Sequence, residues 1–139
     1  MPNDSLTGWQ PDRSVAAPSW PNPPMKVQIA RGIAGRCPAC GKARLFTSYL
    51  RVVPACPNCG APLGQLRADD APAYVTILIV GHIVVGLLVL METHFTLALW
   101  LEAAILLPLT LVLVLVMLPP VKGGILAIML RLGMIRPPQ

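Results

Sequence analysis

Residues 73–91 and 95–118 form two nearly unbroken apolar runs, separated by the polar connection Glu92-Thr93-His94. A run of about 20 apolar residues is long enough to cross a hydrocarbon core of about 30 Å as a helix. Lipid offers the backbone no hydrogen-bond partners, so a spanning segment outside a barrel must satisfy its own amides as a helix. The pair predicts a two-helix transmembrane hairpin within residues 67–120, with spans at about 73–91 and 97–118. Composition agrees: 55% hydrophobic residues, 12% charged residues and a mean hydropathy of +0.65 are too apolar for an ordinary soluble domain.

Ahead of the runs lies a stretch of different chemistry. Residues 37–41 read CPACG and residues 56–60 read CPNCG, so all four cysteines sit in two hooks of the same CPxCG pattern. Each hook can aim two sulfurs at one ion, and the fifteen residues between Cys40 and Cys56 are a spacing read as a zinc site. Cys37, Cys40, Cys56 and Cys59 are therefore the candidate metal ligands. Four thiolates around one ion make a closed structural site with no position for water or substrate. Gly41 and Gly60 follow each pair where the chain must turn back, and Pro38 and Pro57 pre-set the turn. Aromatic and β-branched residues at 45–46 and 49–53 favour short strands. The expected module at 31–66 is thus a small β zinc ribbon that does not fold without its metal. Iron in a tetrahedral four-sulfur site is the alternative metal, with zinc preferred. Disulfides are the third reading, disfavoured in a reducing compartment.

That compartment follows from charge. All eleven Lys and Arg residues precede the first run or follow the second, and none lies in the connection. The positive-inside bias then places both termini in the cytoplasm, with the chain in an inner (cytoplasmic) membrane and residues 92–94 outside. Residues 1–30 are rich in proline among polar residues and are expected to be a disordered arm. Pro119-Pro120 is expected to end the second helix and Pro108 to kink it. Residues 121–139, with Lys122, Arg131 and Arg136 flanking an apolar segment, are then too short to span and are expected to lie along the interface as an amphipathic helix.

Ionisable groups inside lipid are costly and point to function. His82 stands about halfway along the first span beside Gly81, where a second helix can approach closely. A hydrogen bond to a partner helix is the preferred role; a metal or haem ligand and a proton relay are the alternatives. Glu102, at the far interface, is a third partner-binding candidate, able to form an acidic and imidazole cluster with Glu92 and His94. Asp69 and Asp70 are placed to cap the first span. No nucleophile or phosphate loop accompanies them, so no enzymatic activity is expected.

The segments RCPACGKARLF, CPNCG, RADDAPAYVTILIVGHIVV and PPVKGGILAIMLRL closely resemble the DUF983 family of small bacterial membrane proteins, over about residues 31–132. The family carries no defined function. The resemblance implies a lead toward assembly of the respiratory cytochrome oxidase. Together these features suggest a membrane-anchored zinc-ribbon adaptor or assembly factor that holds a membrane protein partner, such as a respiratory complex or its assembly machinery, at the bilayer. A tethered nucleic-acid binder is the alternative, and Phe46 with Tyr49 alone offers little for base stacking. The topology is checked by cysteine-accessibility labelling in sealed cells. A cysteine placed at Thr93 is expected to react from outside and one at Ser5 or Gln139 is not; reaction at either terminus would reverse the orientation.

Overall fold

A computed structural model describes residues 19–66, 68, 70–95 and 98–135. The arm through residue 18, Arg67, Asp69 and the tail at 136–139 lie outside the described residues. The helices are α1 (Met25–Ile33), α2 (Ala71–His94) and α3 (Leu99–Arg131), with one 3-10 turn at Leu63–Gln65. Helix α1 occupies positions that the sequence reading assigned to the arm. It starts after Pro24 and ends in glycine: Gly35 takes φ +69° and the Arg36 amide donates back to Arg31 O at 2.9 Å. That is the left-handed stop that only glycine adopts at low cost.

The apolar runs are helical as expected, and both helices are long and apolar enough to cross a membrane. Only 11% of the most apolar window of α2 and 6% of that of α3 is buried, whereas a soluble core helix would be mostly covered. The buried and half-buried residues of α2 fall at 72, 76, 80, 84, 87 and 91, a stripe at helical spacing along its contact with α3. Thr76 and Thr110 turn their hydroxyls onto Pro72 O and Leu106 O of their own helices, at 2.7 and 2.6 Å.

Helix α3 corrects the expectation of a break at Pro119-Pro120. It runs unbroken for 33 residues, about 50 Å, and contains Pro108, Pro119 and Pro120. A proline in a helix leaves the carbonyl four residues back without its amide. For Pro119 that carbonyl belongs to Leu115, and the Tyr49 hydroxyl donates to it. Lys122 Nζ donates to Leu50 O at 2.8 Å from the same loop. The chain between the hooks thus replaces the missing helical partner, and the segment from 121 onward is the end of α3 and not a separate interfacial helix. Met25, Val27 and Ile33 of α1 are apolar and exposed.

Helix α1 crosses the end of α3 where Gly32 meets Gly123. A methyl added to either would drive into the carbonyl oxygen of the other, so only a hydrogen fits on both sides. Asn22 fixes the outer end of the crossing, accepting from buried Gln28 Nε2 at 2.7 Å and from Arg131. Beyond the crossing, Leu126 and Leu130 of α3 join Cys37, Ala39, Leu45, Cys56, Ala61, Leu63 and Leu66 in one core. Replacing Gly123 or Gly32 by alanine is expected to lower stability by about 2–3 kcal/mol, as overpacking does. Gly81→Ala, where an added methyl meets nothing within 4 Å, is expected to be neutral or stabilising. Thermal unfolding in detergent checks both.

Candidate metal centre

The two hooks are built alike. Cys37 N–H donates to Ala43 O at 2.8 Å and Gly41 N–H to Cys37 O at 2.8 Å; Cys56 N–H donates to Ala61 O and Gly60 N–H to Cys56 O, both at 2.9 Å. Gly41 and Gly60 both take φ +72°, as the sequence requires of them. Arg31 of α1 grips the first hook through Nη1 on Ala39 O at 2.9 Å, and its side chain lies where a Cβ on Gly41 would stand.

Between the hooks the expected strands are absent among the described residues. Two isolated antiparallel bridges, Arg36 with Arg44 and Phe46 with Val52, stand in their place. The pairing stays sparse: Leu45 N–H donates to Gly35 O, Thr47 N–H to Arg51 O and Val53 N–H to Leu45 O, while residues 48–50 between them form the turn from which Tyr49 reaches α3. The module is held by single pairings, by the core shared with α3, and by whatever joins its sulfurs.

Those sulfurs converge. Cys37 Sγ lies 3.8 Å from Cys59 Sγ and Cys40 Sγ 3.7 Å from Cys56 Sγ, and all four lie within 4.8 Å of one another. An ion bound at about 2.3 Å to four sulfurs in a tetrahedron needs about 3.8 Å between them, so the site fits a four-coordinate ion after a small contraction. All four cysteines are free of disulfides. Cys37 and Cys56 are buried, Cys40 and Cys59 half-buried. Burial pushes the Cys37 thiol well above its usual range, and burial likewise raises Cys59. Burial works upward at Cys40 too, but backbone amides of Ala43 and Lys42 and the neighbouring thiols of Cys56 and Cys37 outweigh it and bring the group down to about 6. Cys40 is thus the sulfur shifted toward thiolate, and a cation is drawn to it ahead of Cys37 and Cys59.

The other polar candidates are dispersed. His82 is exposed on α2, and its Nδ1 stands 2.7 Å from Leu78 O. A carbonyl only accepts, so in this contact Nδ1 is the donor. Gly81 beside it faces open space. Glu102 is buried at 2% exposure, with neither carboxylate oxygen partnered among the described residues, whereas Glu92 and His94 are exposed. The expected outward cluster does not form: the four cysteines are the one candidate metal-holding group among the described residues. Asp70 takes the N-cap position of α2 as expected, its carbonyl accepting from Ala73 and Tyr74, but its side chain makes no capping bond.

Sequence reasoning missed Arg31, Tyr49, Lys122 and the facing glycines as supports of the module. The double glycine at 123–124 inside an apolar helix was the available signal, since such a pair marks close backbone approach.

A pair of cysteine hooks seated on the end of a helical hairpin defines the chain as a small four-sulfur protein with two candidate membrane spans. The family model described as Protein of unknown function (DUF983) matches residues 46–130, more than half of the chain, and the chain belongs to that family. The match begins after the first hook, so it covers a shorter stretch than residues 31–132. No curated protein and no solved structure matches.

With metal stripped by a chelator, iodoacetamide is expected to modify Cys40 ahead of Cys37 and Cys59. Lowering the Cys40 pKa populates its thiolate above about 6, so its rate should fall as pH drops through that value, while Cys37 stays slow at neutral pH. Peptide mapping by mass spectrometry reads the order.

Proposed function

We propose that this protein is a non-catalytic, membrane-anchored adaptor whose cysteines hold one structural zinc ion. The metal-organised module stands on the hairpin at the cytoplasmic face of the inner membrane and holds a partner protein there. The observation that carries the reading is the convergence of four sulfurs, all within 4.8 Å, in two matched hooks seated on the same helix that forms a candidate span. A closed set of four sulfurs organises structure and offers no coordination position for a substrate. The exposed basic residues Arg36, Lys42, Arg44 and Arg51 surround the module, a face suited to an acidic protein surface or lipid headgroups. The family resemblance directs attention to respiratory assembly machinery as the partner class.

Inside the bilayer, Gly81 and His82 supply a surface for a partner helix: the glycine is open and the imidazole retains Nε2 for one more hydrogen bond. An interhelical hydrogen bond in lipid averages about 0.6 kcal/mol, so His82→Leu should weaken association about threefold, and Gly81→Leu more by holding the facing backbone away. Elemental analysis should find about one zinc per chain, lost in Cys56→Ser. Co-purification in mild detergent should lose the partner in the cysteine variant and weaken it in the two span variants. Stoichiometric iron with a visible charge-transfer band would overturn the zinc assignment. Full retention of every co-purifying protein by all three variants would overturn the adaptor.

A further inference from the structure

An apolar trough of about 350 Å³ lies in the angle between the three helices, apart from the sulfur site. Ile29 and Ile33 of α1 form one wall, Val75 of α2 another, and Met117, Val121 and Ile125 of α3 the floor. Val75 stands in the second turn of α2 and Met117 just ahead of Pro119, so the lower end belongs to the two candidate spans. From Met117 the trough follows α3 to Ile128, about 16 Å, past the start of α2 and alongside α1.

We propose that this trough takes one acyl chain of an anionic membrane phospholipid, with Lys26 on the phosphate; the inference rests on the membrane reading above. The occupant is decided by access. The lower end is continuous with the exposed apolar flank of the hairpin, where Val75 is 39% exposed and Leu78 one turn further along α2 is 62% exposed, so a hydrocarbon chain enters from the bilayer without crossing polar surface. A soluble peptide would have to cross the headgroups to reach the same place. The headgroup is decided by charge. Lys26, Ile29 and Ile33 stand at i, i+3 and i+7 on α1 and share one face, which puts an exposed ammonium at the outer end of the trough. An ammonium near the membrane surface favours an anionic lipid over a zwitterionic one.

The test places the full chain with its metal in nanodiscs of phosphatidylglycerol and phosphatidylcholine in equal parts. It is then moved to mild detergent, and retained lipids are counted by native mass spectrometry. One phosphatidylglycerol per chain is expected. Val121→Trp and Val75→Trp fill the trough from two helices and should each cut retention about tenfold, the effect of denying burial to roughly two methylenes. Val75 lies away from the crossing of α1 and α3, so its variant should keep metal content and melting temperature. Lys26→Gln should keep a lipid but lose the preference for phosphatidylglycerol. Equal retention by wild type and both tryptophan variants overturns the site, and an undiminished preference in Lys26→Gln overturns the headgroup assignment. A chain that enters no disc overturns the membrane reading and this inference with it.

Discussion

The contact of Gly32 with Gly123 is what the rest of the molecule depends on. Two helix backbones meet there with no side chain between them, which fixes α1 against α3 more closely than any packed leucine would allow. Once α1 is set, Arg31 falls on the first hook and Gln28 on Asn22, and Leu126 and Leu130 enter the core beneath the cysteines. The sulfur site is therefore positioned by a helix crossing as well as by its own turns. A free-standing ribbon of this size would depend on metal alone, whereas here part of the burial comes from α3.

The end of α3 illustrates how a local sequence rule is overridden by a distant side chain. Consecutive prolines remove two amides, and one of the carbonyls they leave behind would face apolar surroundings unpaired, at a cost of several kcal/mol in lipid. The Tyr49 hydroxyl comes from 66 residues away to take the Leu115 carbonyl, and the Lys122 ammonium returns a bond to the same loop. The chain between the hooks thus ties the metal module to the helix at the point where the helix is weakest. Metal binding, loop conformation and helix continuity share residues.

What the sequence made legible was what periodicity and spacing encode directly: two long apolar helices, four converging cysteines, and glycines at positive φ behind each cysteine pair. Less legible were features that need a partner far along the chain. Helix α1 has nine residues of mixed character after a proline-rich stretch, and composition alone assigns it to the arm; its crossing with α3 is what makes it a helix worth forming. Residues 45–53 have strand-forming side chains, but the turn at 47–51 and the docking of Tyr49 on α3 leave single bridges. Glu102 has the sequence position of an interfacial residue and the burial of a seam residue, because it lies on the same face of α3 as Leu106 and Thr110.

The continuity of α3 means that the metal module and the second span are one rigid rod with a common phase. Each residue of an α-helix turns the chain by about 100° and raises it about 1.5 Å. In a bilayer, the depth at which this candidate span settled and the way it faced would thereby dictate the height and compass heading of the sulfur site above the surface. Natural variation in the length of this helix would steer the module around its axis in steps of that size, so changes in whole turns, and not single residues, are the ones that keep it facing the same neighbour.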